Sequence, residues 1–362
     1  MSARDGIWLF LDSSSVGGIE THVMQLASGL ATMGIQTRLV LYKAYPDSPI
    51  PQLFKQLEER NNGNALGTLI LDGKPGDLYQ ALGRYRPPAL IHTHGYKAGI
   101  IGRLTARLSG IPVASTWHAG EVPSGLVKIY DWIDRYSAAL AQARFAVSPQ
   151  IQARLPTSSV IMDNFVDVAN TRITKGQQIA FVGRLSDEKA PDVMVDLANL
   201  CPNQTFDMYG GGVMEAELRA SAPANLTLHG MQTQMDGVWS QVGLMILPSR
   251  FEGLPMAVLE AMSRGIPVIA SDVGALSSVI THQQTGWLVS PADPNAVKEA
   301  LEEWDALSDT DQTRMRQKCR QTIEDRFSAT AIIPRFLEIY RSIAPELAPP
   351  PSHLHHRITR HN

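Results

Sequence analysis

The sequence predicts an α/β protein built from two doubly wound parallel-sheet halves in series. Its 362 residues exceed what one hydrophobic core usually organises, so we expect two domains. Short apolar runs typical of buried strands alternate with helix-length amphipathic stretches, which is the pattern of a parallel sheet with helices on both faces. With 44% hydrophobic and 19% charged residues, most of the chain has enough apolar surface to fold.

The first half opens with the clearest strand and helix. The run 7–11 predicts a buried strand, and the stretch from Glu20 to Gly34 predicts a helix with one apolar stripe. The loop between them contains Gly17 and Gly18. Further strands are predicted at 38–42, 68–71, 89–93, 112–116, 145–148 and 160–162.

The second half repeats the pattern and then becomes helical. The polar segment 164–177 predicts a joint, which gives domains over 1–167 and 168–327. From 308 to 343 the pattern is helical, and the proline-led tail 346–362 is predicted to be disordered, despite its histidines. The strands of this half are predicted at 178–182, 205–209, 226–229, 244–247 and 267–270.

Charge and cysteine content exclude several classes of protein. Residues 1–167 carry 15 Lys and Arg against 13 Asp and Glu, and residues 168–346 carry 15 against 22, so no concentrated basic face for nucleic acid is indicated. Cys201 and Cys319 lack metal-ligand spacing and are predicted to be packing residues.

No apolar run reaches the roughly 20 residues of a membrane span, and no secretory leader is recognised. We therefore expect a cytoplasmic protein.

The strongest candidate site in the second half is a turn between two carboxylates. Pro255 is favoured at a helix start, which would leave the amides of Gly253 and Leu254 at a helix end suited to phosphate. Glu252 precedes this turn, and Glu260 lies five residues beyond Pro255, or roughly 7.5 Å along the helix axis. A solvated helix residue is the alternative for Glu260, and a two-carboxylate glycosidase is the alternative for the pair. The phosphate-accepting turn favours a nucleotide-linked sugar instead.

A second candidate site follows the strand at 178–182. Arg184 offers a planar fork for phosphate oxygens, and Lys189 a mobile point charge. Together they could neutralise a diphosphate leaving group. The alternative is that both cations pair with Asp187 and Glu188 at the surface.

Glycines and histidines mark the strand ends of the first half. Gly17 and Gly18 match neither the dinucleotide-binding nor the P-loop fingerprint, so a plain turn and a close ligand approach both stay open. His92, His94 and His118 are predicted to follow strands, and position favours a functional role for His118 most. Zinc would need a third ligand, and the spacing indicates none. We therefore predict no metal and no cofactor.

Taken together, these elements resemble the retaining glycosyltransferases of group 1, over about residues 5–343. That family has two Rossmann-like domains facing a central cleft, an architecture called GT-B, and the helix at 328–343 resembles the segment that crosses back onto the first domain. The resemblance is carried by Gly17-Gly18-Ile19-Glu20, His92-Thr93-His94, His118, Asn164 to Asp167, Gly183 to Leu185 with Lys189, Gly210 to Gly212, and Glu252 to Glu260.

The resemblance implies roles for the residues of the second half. Glu252 would contact the donor sugar and Glu260 the ribose hydroxyls. Arg184, Lys189 and the turn containing Gly253, Leu254 and Pro255 would hold the diphosphate.

For the first half the resemblance implies a catalytic environment and a closing loop. His118 would lie beside the transferred sugar, and Gly17 with Gly18 would belong to a loop that closes over phosphate and acceptor. One departure is Ala190, which follows Lys189 at a position where glycine is common.

The expected activity is transfer of a sugar from a nucleotide diphosphate sugar to an acceptor hydroxyl with retention of anomeric configuration. The nucleotide could be of the UDP, GDP or ADP type, and the acceptor a glycan or glycolipid of cell-envelope polysaccharide or lipopolysaccharide synthesis. A nucleotide-sugar epimerase and a non-catalytic nucleotide-sugar binding protein are the alternatives.

One segment of the first half raises the question of membrane contact. It could place the protein peripherally on an anionic membrane, or it could be an ordinary solvated helix face. The segment combines cations and aromatic residues: Lys97, Arg103, Arg107, Tyr130, Trp132 and Tyr136.

Overall fold

The computed structural model describes residues 4–61, 65–118, 125–169, 171–232 and 234–347. The chain forms two compact units, each built on one parallel sheet, which confirms the predicted α/β class. One unit comprises the chain up to Asp163 together with the segment from Ala329 onward, and the other comprises Asn164–Ser328. As predicted, the last helix returns to the first unit.

The first unit has seven strands in the order β3-β2-β1-β4-β5-β6-β7. Every residue of β1, β4 and β5 is buried, as expected for central strands covered by helices on both faces. The strands are β1 (Ile7–Leu11), β2 (Thr37–Leu41), β3 (Leu66–Ile70), β4 (Leu90–His94), β5 (Val113–Trp117), β6 (Ala143–Ala146) and β7 (Val160–Ile161). The helices are α1 (Gly18–Thr32), α2 (Ile50–Arg60), α3 (Asp77–Arg84), α4 (Tyr96–Ser109), α5 (Gly125–Tyr136), α6 (Pro149–Arg154) and α14 (Ala329–Ile343).

Helix α14 completes the core of this first unit. Its apolar stripe is buried, with Phe336 and Tyr340 fully inaccessible to solvent. Gly29 of α1 makes the close approach possible, because a Cβ there would lie 1.8 Å from Cδ1 of Ile333. The apolar stripe of this helix is therefore a packing surface.

The second unit has six strands in the order β10-β9-β8-β11-β12-β13. Strand β13 was not predicted, because its four residues begin at a glycine and form too short an apolar run. The strands are β8 (Gln178–Val182), β9 (Phe206–Tyr209), β10 (Leu226–Gly230), β11 (Val242–Leu247), β12 (Val268–Ser271) and β13 (Gly286–Val289). The helices are α7 (Asp192–Leu200), α8 (Glu215–Ser221), α9 (Met235–Trp239), α10 (Met256–Ser263), α11 (Leu276–Val279), α12 (Pro294–Asp305) and α13 (Asp309–Arg326).

The start of the predicted joint is packed into the second unit. Phe165 and Val166 are buried, and the Val166 amide donates to the Phe327 carbonyl over 2.9 Å. The units consequently divide after Asp163, four residues before the predicted boundary.

Each sheet reverses its strand order at one point, and such a point is where α/β sheets bind ligands. In the first unit the reversal lies between β1 and β4, and in the second between β8 and β11. The loops that follow these strands are therefore the places to look for chemistry.

Two further predictions concern the membrane and the C-terminal tail. No described helix is both long and apolar enough to cross a bilayer. Leu347, within the tail predicted to be disordered, is buried; residues 348–362 lie outside the described ones.

Candidate functional site

In the second unit, Lys189 and Glu252 meet at the strand-order reversal. Lys189 ends a short 3₁₀ turn after β8, and Glu252 follows β11. Nζ of Lys189 lies 2.6 Å from each carboxylate oxygen of Glu252. The Glu252 side chain is 3% exposed and that of Lys189 21%, so the acid is buried and the ammonium reaches solvent. The structure thus joins two residues predicted from separate motifs.

The loops that carry this pair are tied together by neighbouring hydrogen bonds. Oγ of Ser249 donates to the Glu252 carboxylate over 2.7 Å. The Arg250 amide donates to the Glu188 carbonyl, and its guanidinium binds Asp192 in a bidentate pair of 3.0 and 2.6 Å. Those hydrogen bonds lower the pKa of Asp192. The loops after β8 and β11 are therefore fixed relative to each other.

The turn at Gly253 is held from two sides. The Gly253 carbonyl accepts from the Ala275 amide over 2.9 Å, and the Leu254 carbonyl accepts from the buried Asn164 amide group over 2.6 Å. Gly274 packs beneath the turn at a φ of 63°, where an added Cβ would lie 2.1 Å from the Glu252 carbonyl oxygen. Only glycine fits this contact without displacement.

The helix after the turn begins at Met256, one residue later than predicted, with Pro255 as its extended N-cap. On it, Glu260 accepts a hydrogen bond from Nε1 of Trp239 over 3.1 Å. Burial raises the pKa of Glu260, and the guanidinium of Arg264 opposes that rise. The fully solvated alternative for Glu260 is therefore wrong. Its contact with a ribose stays a prediction.

Arg184 differs from Lys189 in being exposed. Its side chain is 61% accessible, and its guanidinium lies 3.8 Å from the carboxylate of Glu188. That separation in solvent is a weak surface pairing, so the alternative proposed from sequence is observed in part. One of the two predicted cations is anchored, and the other can reorient.

Ala190 occupies the left-handed region of backbone conformation, with a φ of 49°. This conformation explains why glycine is common at that position in the family that the sequence resembles, because glycine adopts it without steric cost. In this chain Ala190 adopts the same left-handed conformation.

In the first unit, a cluster of histidines lies near the strand-order reversal. His92 and His94 lie within β4 instead of following it, which corrects the prediction, whereas His118 directly follows β5. Nδ1 of His94 lies 3.0 Å from Nε2 of His118. His22 of α1 joins them, with its ring centroid 4.9 Å from that of His118.

His22 supplies, beside His94 and His118, a third possible metal ligand that the sequence spacing did not indicate. One ligand atom from each of His22, His94 and His118 lies within 4.8 Å of the others. The hydrogen bond between His94 and His118 occupies Nδ1 of His94 and Nε2 of His118, and the second nitrogen of each ring lies outside that bond. Metal independence stays a prediction.

The imidazoles of His92, His94 and His118 are held neutral. Burial is the main cause that lowers the pKa of His92, His94 and His118 well below the ordinary 6.5, and the neighbouring histidines lower it further. His92 is fixed by the Tyr340 hydroxyl at 2.7 Å and the Thr116 hydroxyl at 2.8 Å. These three imidazoles can donate and accept hydrogen bonds, but they are not a source of positive charge at neutral pH.

The glycine loop of the first unit is shaped by a buried carboxylate. The Gly17 amide donates to Oε2 of Glu20 over 2.7 Å, and Glu20 is 6% exposed. Gly17 is the N-cap of α1, which begins at Gly18, two residues earlier than predicted. A closing movement of this loop stays a prediction.

The structure removes Arg103 from the predicted surface segment. Its guanidinium is buried and bonds the carboxylate of Asp134 over 2.6 Å. Burial raises the pKa of Asp134 to about 6, even beside this cation. Arg103 therefore stabilises the packing of α4 on α5 and cannot meet a membrane.

Several site residues were missed from sequence. Ser249 and Arg250 follow β11, and that position alone could have drawn attention to them. Gly274 carried no comparable signal, and neither did His22, which lies on a helix.

Comparison with known proteins identifies both halves. A family described as "Glycosyl transferase 4-like domain" matches residues 17–170, and "Glycosyl transferases group 1" matches residues 176–304. An Escherichia coli UDP-Gal:alpha-D-GlcNAc-diphosphoundecaprenol alpha-1,3-galactosyltransferase is 24% identical, over 69% of this chain and 74% of its own length. A D-inositol 3-phosphate glycosyltransferase of Salinispora arenicola is also 24% identical, over 78% of each chain.

Solved structures agree with the fold. The crystal structure of Anabaena HepE in complex with UDP and glucose superposes with a TM-score of 0.80, at 16% identity, over 94% of this chain and all of that one. The chain therefore belongs to the group 1 glycosyltransferases and is a glycosyltransferase.

Proposed function

We propose that this glycosyltransferase moves a sugar from a nucleotide diphosphate sugar to an acceptor hydroxyl, with retention of the anomeric configuration. The observation that carries the proposal is the Lys189–Glu252 pair at the β8/β11 reversal. Consistent with it, HepE was solved with UDP and glucose, and the Escherichia coli relative is named for UDP-Gal.

The chemical demand is stabilisation of negative charge on the departing diphosphate. Lys189 is held at a fixed place by Glu252, and Arg184 is exposed and can swing toward a bound phosphate. The fixed turn at Gly253 offers backbone amides beside them. Groups of this kind lower the barrier by several kcal/mol when they are preorganised, and no metal is required.

Retention follows if the acceptor attacks the face that the diphosphate leaves. In this scheme the departing phosphate takes the acceptor proton, and Glu252 and His118 position the sugar. A neutral His118 suits that task, because it can donate or accept a hydrogen bond with a sugar hydroxyl. The hydrogen bond between His94 and His118 would set which ring nitrogen of His118 faces the sugar.

For the acceptor we propose a glycan or glycolipid of cell-envelope polysaccharide or lipopolysaccharide synthesis. The support is the name of the Escherichia coli relative, whose acceptor is a diphosphoundecaprenol-linked sugar. The donor nucleotide is open among the UDP, GDP and ADP types.

A thermal-shift screen of UDP-, GDP- and ADP-sugars tests the donor, because a ligand that binds only the folded state raises the melting temperature. The preferred donor is then incubated with and without acceptor. A transferase consumes it mainly when acceptor is present, whereas an epimerase changes the sugar in the donor alone. Binding without any transfer would identify a binding protein and end the proposal.

Variants then test the diphosphate contacts. Arg184→Ala and Lys189→Ala should each lower turnover strongly, by about 10²-fold or more. Lys175→Ala removes an exposed lysine of the same unit and is the matched control. Wild-type turnover in both site variants would overturn the assignment. The anomeric coupling constant of the product, measured by NMR, decides between retention and inversion.

A further inference from the structure

The outward side of α5 is apolar over most of its surface. Its exposed residues follow helical spacing, so they share one face. Trp132 and Tyr136 stack at a centroid distance of 4.9 Å. The exposed fractions are 55% for Ile129, 48% for Tyr130, 55% for Trp132, 36% for Ile133 and 58% for Tyr136. We call these five residues the α5 face.

The opposite side of the same helix is charged and buried. Asp131 and Asp134 are 4% and 3% exposed. Asp131 bonds Arg135 over 2.7 Å, and Asp134 bonds Arg103 over 2.6 Å. A surface helix normally buries its apolar side and exposes its charges. Helix α5 instead buries both of its acids and exposes the apolar α5 face, which can therefore bury against something outside its own unit.

The surroundings of the α5 face are basic. Lys128 is exposed on α5 itself, and Arg107 is exposed on α4, which packs against α5. Helix α4 contains no acidic residue, and both acids of α5 are buried in ion pairs. Leu104 and Leu108 of α4 are also exposed, at 51% and 76%. Apolar surface flanked by cations is the pattern of a helix that lies on an anionic lipid interface.

We propose that the α5 face docks on the surface of an anionic membrane, with Trp132 and Tyr136 in the headgroup region. Aromatic side chains with a polar edge favour that region. A second copy of the chain would cover this face less favourably. In a symmetric dimer, Lys128 and Arg107 would approach the same residues of the other copy, and the like charges would repel. The proposal goes beyond sugar transfer and does not depend on the donor or acceptor.

Tryptophan fluorescence gives a direct test, because the exposure of Trp132 is unique. The other five of the six tryptophans are at most 6% exposed. Vesicles of equal parts phosphatidylglycerol and phosphatidylcholine, with bromine on the acyl chains, should quench the emission of the wild-type protein. Trp132→Phe should still float with these vesicles, within about twofold of wild type, but should lose most of the quenching. Quenching that persists in Trp132→Phe would overturn the assignment of the surface.

Flotation measures the energetics. The double variant Trp132→Ser with Tyr136→Ser should lower the partition coefficient at least about tenfold. Lys128→Ala and Arg107→Ala should each lower it about fivefold. The matched controls are Tyr79→Ser and Lys55→Ala, which remove an exposed aromatic and an exposed cation elsewhere in the first unit. Both controls should float as the wild type does.

The remaining outcomes are decisive in either direction. If high salt abolishes vesicle binding, and if vesicles of pure phosphatidylcholine do not bind the protein, the proposal of an anionic membrane surface is supported. Absence of flotation at low salt overturns the proposal, as does equal loss in the control variants. A wild-type dimer that Trp132→Ser converts to a monomer assigns the face to a second copy and also overturns it. Donor-binding thermal shifts of the same variants show whether each remains folded, and they separate failure here from failure of the sugar-transfer proposal.

Discussion

The two strand-order reversals hold opposite kinds of chemistry. At the β8/β11 reversal, Lys189 and Glu252 form an ion pair whose ammonium reaches solvent. Near the β1/β4 reversal, His92 and His94 are buried and neutral. The same topological position therefore supplies charge in one unit and uncharged hydrogen bonding in the other.

The largest expected effect is a loss of stability of the first unit in mild acid. In the folded protein the pKa values of His92, His94 and His118 lie well below 6.5. In mild acid the unfolded chain therefore binds protons at these residues, whereas the folded chain does not. Stability is therefore full above the unfolded pKa and falls as the pH drops below it. Three histidines that stay neutral in the folded state should together lower the free energy of unfolding by about 4 kcal/mol between about pH 7 and about pH 5.5.

Urea unfolding at the two pH values measures this loss, and protection factors of β4 amides assign it to the first unit. His94→Gln should reduce the pH slope by about one proton. An unchanged slope would show that the histidines are not held neutral, and the contrast between the two reversals would fail.

The next effect concerns the buried carboxylate of the second unit. Lys189→Ala should lower the free energy of unfolding by about 2–3 kcal/mol, because the buried carboxylate of Glu252 would lose the ammonium that pairs with it. Adding Glu252→Gln to that variant should restore most of the stability without restoring turnover. Thermal melts and initial rates on the single and double variants check both parts. Recovery of turnover in the double variant would contradict the role of Lys189.

A smaller effect is expected at Gly274. Gly274→Ala should cost about 1–2 kcal/mol and lower the apparent donor affinity, because its Cβ would press on the carbonyl of Glu252 at a φ that favours glycine. Gly237→Ala is the control, since no atom lies within 4 Å of the added carbon. Comparable donor affinity in both variants would show that the turn at Gly253 tolerates displacement.

Sequence patterns predicted the fold better than they predicted the contacts. Strands β1 and β8 were predicted with their observed bounds, because each is a compact apolar run followed by a turn. The pairing of Lys189 with Glu252 lay beyond sequence reasoning, since 63 residues separate them. It depends on β8 and β11 being neighbours, which hydrophobic periodicity does not specify.

The same limit explains the errors in the first unit. Arg103 had the pattern of a surface cation, and its burial depends on a long-range partner, Asp134, which lies 31 residues away. His22 lies on a helix, where histidine has no distinctive signal, and it meets His118 only because α1 packs beside the ends of the central strands. Long-range partners decide whether a polar residue is buried, and sequence spacing does not reveal them.

The smallest expected effect on stability is at Arg184. Because its side chain is 61% exposed and 3.8 Å from Glu188, Arg184→Ala should change the free energy of unfolding by less than about 0.5 kcal/mol. Its donor affinity should nevertheless fall, since a guanidinium fork that reaches phosphate matters only when ligand is bound. Thermal melts with and without nucleotide sugar separate the effect on stability from the effect on donor affinity. If Glu188→Gln weakens the ligand-induced shift as much as Arg184→Ala does, the surface pair would be the functional unit, and Arg184 would not act alone as a phosphate ligand.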